Sequence, residues 1–113
     1  GAGVRPRSFF DLTNQWAKDE GFAGLGYINF KGGEAGGGIA KNIGPERLVQ
    51  LVNQIGLGPD DGVFFACAKP DVAAKLAGLA RTRVGQQLEL IESNAFRFCW
   101  VVDYPMYEWD ETQ

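Results

Sequence analysis

The run Phe98-Cys99-Trp100-Val101-Val102, followed by Asp103-Tyr104-Pro105-Met106-Tyr107-Glu108-Trp109, constrains this chain more than any other stretch. Consecutive aromatic and β-branched residues with no helical period suit a strand covered on both faces. Pro105 fixes its own φ, removes a backbone donor and pushes Tyr104 into extended backbone, so the chain leaves that strand as a straight ribbon. The ribbon still carries Met106, Tyr107 and Trp109. In a self-contained domain such side chains would stand in water, whereas termini are normally polar and loosely held. The sequence therefore predicts a piece of something larger, with its last aromatic residues made to pack on a surface outside these 113 residues.

Upstream, 45% apolar and 22% charged residues describe an ordinary globular chain of one-domain size, which excludes disordered and collagen-like classes. A net charge of -3 supplies no basic field to draw in nucleic acid, so any RNA contact has to be local. Histidine is absent, which removes the commonest general base and metal ligand. No apolar run reaches the length of a bilayer span, and the N-terminus lacks the apolar core of a targeting peptide; the expectation is a soluble cytoplasmic protein without membrane contact. Cys67 and Cys99 each sit in an apolar strand-like run, so both read as buried, reduced thiols. Their spacing suits no metal site.

Local signals give an order of elements. Ser8 reads as an N-cap with Asp11 in the capping-box position, and Phe9, Leu12 and Trp16 follow at helical spacing until Gly21 stops the helix. Leu25 to Phe30 reads as a strand, Lys31 to Gly38 as a glycine-rich hairpin connection, and Ile39-Ala40 as the short returning strand. Gly44-Pro45-Glu46 opens a second helix whose stripe is Leu48, Leu51, Val52 and Ile55, closed by Gly56. Gly58 to Gly62 is turn chemistry leading into a strand at Val63 to Ala68. A third helix starts near Pro70, with Val72, Leu76, Leu79 and Val84 on one face, and Gly85 ends it or thins its last turn. Counting Phe98 to Val102, this order predicts an α+β fold: a two-layer sandwich with a largely antiparallel four-stranded sheet, helices on one face and an additional N-terminal helix.

Three constellations invite chemistry. The Gly32 to Gly38 stretch resembles a phosphate cradle, but no Gly-Lys-Ser/Thr follows and the sequence behind it reads as strand, which favours a flexible hairpin. Asp103, Glu108, Asp110 and Glu111 flank an aromatic ribbon or lie in a tail, and read as solvated charge. Lys69, Lys75, Arg81 and Arg83 make the third helix locally basic. Cations near a helix C-terminus are favourable on dipole grounds alone; the alternative is a docking patch for a neighbouring domain or an RNA phosphate.

Trp100 to Glu108 also resembles the segment by which bacterial-type aspartyl-tRNA synthetases return to their class II catalytic domain after a large insertion. The preceding residues resemble that insertion, the GAD-type domain shared with the B subunit of the tRNA-dependent amidotransferase. Pro6-Arg7-Ser8-Phe9-Phe10, Gly24-Leu25-Gly26-Tyr27-Ile28, Ile39-Ala40-Lys41-Asn42 and Arg81-Thr82-Arg83-Val84-Gly85 add to it in order and spacing. The resemblance implies residues 1–103 as the insertion domain and 104–113 as the start of the return segment. It implies a homodimeric parent that attaches aspartate to tRNA through an aspartyl-adenylate, using ATP and magnesium. No class II motif is recognisable here, so no catalytic, cofactor-binding or metal residue is carried over to any position. The fragment's expected role is structural, packing on the parent's catalytic domain and shaping the approach of the tRNA acceptor end. The alternatives are a tRNA-recognition domain of an amidotransferase, a free-standing adaptor, or a small-molecule regulatory module with only the fold class behind it.

Overall fold

The structure is a computed structural model that describes residues 1–107. Its centre is strand β1, Gly26–Lys31, which pairs antiparallel with β2 (Glu34–Gly36) on one side and β3 (Gly62–Phe65) on the other. Side chains alternate across such a strand: one face carries Ile28 and Phe30, the other Tyr27 and Asn29 next to Leu25, which precedes the strand. Ile28 and Phe30 point into one cluster with Ala40, Leu48, Val52, Val63 and Phe65. Leu25 joins Ala17, Leu76, Ala80 and Phe64 in a second cluster. The first cluster is roofed by helices α2 (Gly38–Ile43) and α3 (Pro45–Ile55), the second by α1 (Arg7–Asp19) and α4 (Pro70–Gln87).

The helices therefore cover both faces of the sheet, which corrects the expected two-layer sandwich. The reason lies in β3, where Val63, Phe64 and Phe65 are apolar at successive positions and Ala66 follows, so neither face favours water. The expected fourth strand is also corrected. No strand or helix is present between Leu88 and Tyr107, and Phe98 and Trp100 are 96% and 95% exposed. β-Propensity measures fit to a half-buried surface, and none of the described residues offers Phe98 to Val102 that surface. Both cysteines, expected to be buried, are exposed for related reasons: β3 stops at Phe65, short of Cys67, and Cys99 lies in the run that never joins the sheet. The α+β class itself stands.

Local chemistry explains the other departures. The β1–β2 turn is the two residues Gly32-Gly33, with φ of 59° and 83°, a pattern suited to a tight hairpin whose twist matches the strands. The chain thus returns at once through Glu34–Gly36, and Ile39-Ala40, expected as the returning strand, lies in α2. Helix α1 begins two residues early, at Arg7 with Pro6 as its N-cap, and the Ser8 side chain caps nothing. Asp11 instead pairs with Arg7 at 3.3 Å. The buried face of α1 is Phe10, Thr13 and Ala17, while Leu12 is 63% exposed, so the expected stripe is turned by one residue. Phe10 decides this rotation: its ring stacks on Tyr27 at 4.7 Å and packs on Phe64 at 5.4 Å. Thr13 is tolerated at zero exposure because its hydroxyl donates to the Phe9 carbonyl at 2.8 Å. The helix ends as the sequence predicts, with Gly21 N–H bonded to the Lys18 carbonyl and Phe22 N–H to the Ala17 carbonyl.

Helix α3 also forms as read, with Gly44 and Pro45 opening it and Gly56 in the left-handed region closing it; Ile55, expected in its buried stripe, is exposed. In α4 the buried positions are Leu76 and Ala80, with Val72 and Leu79 largely exposed. Gly85 does not end α4, which runs on to Gln87, but lies in its last turn, the second of the two roles expected of it. Its carbonyl accepts the Leu90 N–H at 2.8 Å, and a Cβ there would stand 3.3 Å from Ile91, so glycine lets the following connector fold back on the helix.

One turn ties these layers together. The Asp60 carbonyl accepts the Gly3 N–H, the Asp61 carbonyl the Phe30 N–H, and the Asp60 side chain the Gly32 N–H. A Cβ on Gly3 would collide with the Phe30 and Asp61 carbonyls, so the N-terminal 3₁₀ turn Ala2–Val4 can seat only with glycine there. The Asp61 carboxylate accepts the Gly58 N–H at 2.9 Å, and this hydrogen bond holds its pKa below the usual carboxylate range.

Phe10→Ala is expected to cost about 3–5 kcal/mol, because it empties the ring stack beneath α1; urea unfolding of both proteins measures this. For Asp61, a depressed folded pKa means its stabilisation is complete above the unfolded value and is lost as pH falls through the folded one. Asp61→Asn should therefore flatten the acid limb of the urea midpoint plotted against pH.

Candidate functional site

Among the concave surfaces of the described residues, an apolar groove and a polar pocket bear most on function, together with one exposed ribbon. A largely apolar groove of about 710 Å³ lies beside the C-terminal half of α4, lined by Leu25, Phe64, Ala66, Ala80, Val84 and Ile91, with Arg81 and Thr82 also contributing. The ribbon is Phe96 to Tyr107, in which Phe96, Phe98, Trp100, Tyr104, Met106 and Tyr107 are all exposed. Monomeric domains seldom expose a contiguous apolar run of this kind without a partner to cover it. Trp109, Glu108, Asp110 and Glu111 lie outside the described residues.

The second concave surface is polar and smaller, about 320 Å³, lined by Arg7, Tyr27, Asn29, Gly37, Gly38 and Lys41. Four segments meet there: the start of α1, the middle of β1, the glycines after β2, and α2. Asp11, one turn along α1, accepts from the Tyr27 hydroxyl at 3.3 Å and holds Arg7 through its Nε. It thereby fixes the positions of both groups. The Asn29 amide donates to the Gly3 carbonyl at 3.4 Å, which anchors the strand side of the pocket. Lys41 has no ion-pair partner among the described residues.

The basic residues singled out on α4 do not gather into one patch. Lys69 is the N-cap and Arg83 lies near the other end, about 20 Å away at 1.5 Å per residue. Arg81 and Arg83 project about 200° apart around the helix at 3.6 residues per turn. Arg83 is half-buried, its guanidinium 4.8 Å from the Trp16 ring centre, with no hydrogen-bond partner for its Nε. It pins α4 to α1. Arg81 is exposed at the apolar groove. Neither dipole compensation nor a shared phosphate site accounts for Arg83; cation–π packing does. Asp103 is exposed with φ of 56°, and no cluster of three or more His, Cys, Asp or Glu that could hold a metal ion occurs among the described residues.

The polar pocket is not visible from the sequence, because its parts come from four segments and the strand-like Ile39-Ala40 belongs to α2. The available signal was the pair Gly32-Gly33, which places the turn early and frees Gly37 and Gly38 to lead into a helix carrying Lys41.

Comparison with known proteins adds three findings. Residues 1–77 match the sequence model of the GAD domain family. The chain is 62% identical over 110 residues, 97% of its length, to the aspartate–tRNA(Asp/Asn) ligase of Zymomonas mobilis, and 59% identical over 107 residues to that of Erythrobacter litoralis. The ligase of Methylocella silvestris is 51% identical over 118 aligned positions covering the whole chain. The chain spans only 18% of the length of the first two proteins and 19% of the third.

A double-mutant cycle on Trp16→Ala and Arg83→Ala should give a coupling of about 1 kcal/mol, in the range of partly desolvated cation–π pairs. Additive losses in urea unfolding would show that the two side chains act independently.

Proposed function

The chain belongs to the GAD domain family, and from that premise we propose that it is the insertion domain of a bacterial-type aspartyl-tRNA synthetase. In this reading residues 1–103 form the insertion and residues 104–113 begin the return to the catalytic domain. One observation carries it: the Phe96 to Tyr107 ribbon presents eight large hydrophobic side chains to water. Such a ribbon acquires a physical reason if the parent's catalytic domain covers it. The family match ends at residue 77, while the similarity to aspartate–tRNA(Asp/Asn) ligases runs over nearly the whole chain and takes in the ribbon's neighbourhood. That extent supports the synthetase reading over the amidotransferase one.

The parent is then a class II enzyme, homodimeric and cytoplasmic, that activates aspartate with ATP and magnesium and transfers it to tRNA. This fragment does not fit that cofactor set. The polar pocket is lined by cations and amides with no carboxylate to hold magnesium, and the larger groove is apolar. No step of the reaction passes through these residues. Their contribution is mechanical and electrostatic: a sheet clamped between two helical layers holds the pocket's cations in place, and the ribbon links that body to the catalytic domain. A rigid arm of that kind positions the acceptor end of tRNA. No described helix is long and apolar enough to cross a membrane.

Removing residues 1–103 from the full-length enzyme and joining the ends with a short linker tests this reading. The KM for tRNA should rise about tenfold, equivalent to about 1.4 kcal/mol. Aspartate-dependent ATP–pyrophosphate exchange should stay near its original rate. An unchanged tRNA KM would exclude a positioning role.

A further inference from the structure

We propose that the polar pocket between α1, β1 and α2 is a phosphate-binding site in which Lys41 and Arg7 hold the anion's charge and Tyr27 and Asn29 shape its floor. The chain as a whole is acidic, at -3, yet this pocket is lined by two cations and no carboxylate. Lys41 has no ion-pair partner among the described residues, so nothing there neutralises it. Arg7 meets Asp11 through its Nε at 3.3 Å and is 85% exposed, so its guanidinium is open to an anion from solvent. Asp11 opposes an anion by its charge. It also fixes Arg7 and the Tyr27 hydroxyl in place, which lowers the entropy lost on binding.

Shape supports the same assignment. A volume of about 320 Å³ admits a phosphate group with its water and is at the small end for a larger organic ligand. The rim is glycine. A Cβ on Gly38 would meet nothing within 4 Å, so the rim is open there, whereas one on Gly37 would press on the Tyr27 carbonyl and ring. Gly37, at φ of 104°, thus lets the chain pass close over Tyr27 without displacing it. The site rests on the Lys41 and Arg7 side chains and not on the end of α2, which has only 6 residues.

Both a phosphodiester of an RNA backbone and free inorganic phosphate have this chemistry. The first is the source we assign, and it rests on the tRNA-positioning reading above. Titrations of the ¹⁵N-labelled chain, one with inorganic phosphate at constant ionic strength and one with a short RNA hairpin, separate the two. The expected result is saturable shifts at Tyr27, Asn29, Gly37, Gly38 and Lys41 with both probes. Lys41→Gln should abolish the phosphate response, weaken RNA binding about tenfold and reduce the salt slope of RNA binding by about 1. Arg81→Gln, outside the pocket, should leave the pocket's shifts unchanged. Lys41 is exposed, so the variant is expected to fold, and an unchanged urea midpoint checks this. Phosphate shifts without RNA shifts would uphold the site and overturn its RNA assignment. RNA shifts located elsewhere and indifferent to Lys41→Gln would overturn the site and leave the positioning reading intact. Silence from both probes would overturn the site.

Discussion

Burial of β1 on both faces is the constraint from which the other elements take their places. Ile28 has no exposed surface and Phe30 almost none, and the alternate side chains Leu25 and Tyr27 are claimed by the opposite layer. A strand of this kind cannot shift register by one residue without exchanging its two faces, which would put Tyr27 and Asn29 among Ala40, Leu48 and Val52. Register is fixed further by the Asp60-Asp61 turn, which receives hydrogen bonds from Gly3, Phe30 and Gly32 together. With β1 set, the Phe10–Tyr27 stack orients α1, and α1 in turn holds α4 through Trp16 and Arg83.

The pocket inherits its geometry from the same constraint. Tyr27 and Asn29 lie on the face of β1 that α1 covers only in part, because Phe10 takes the apolar end of that face and Arg7, one turn earlier, extends over the polar end. The hairpin glycines then bring α2 alongside, with Lys41 on it. No element was spent on the pocket alone; it is the place where two helical layers fail to meet over a partly polar strand.

How much of this is legible in the sequence depends on how local each signal is. Helix α3 is readable because glycine, proline and apolar spacing all lie within a dozen residues, and the close of α1 at Gly21 is local in the same way. The buried face of α1 is not, since Phe9 and Phe10 are equivalent by period and only the partner rings on Tyr27 and Phe64 choose between them. The two-sided covering of the sheet was present in Val63-Phe64-Phe65-Ala66, a run apolar on both faces. The Phe98 to Val102 run shows the opposite limit: composition reads strand propensity correctly but cannot supply the neighbour that a strand requires. The candidate site was the least legible part, assembled from Arg7, Tyr27, Asn29 and Lys41 across segments that no spacing rule connects.

Among the described residues three strands make up this sheet, and the aromatic ribbon finds no cover. Native-state amide hydrogen exchange on the isolated protein tests this directly. The account predicts that Ile28 and Phe30 amides exchange only through global unfolding, while those of Phe98 to Val102 exchange at nearly unprotected rates. Protection of Phe98 to Val102 matching that of β1 would show a fourth strand in place and contradict the account.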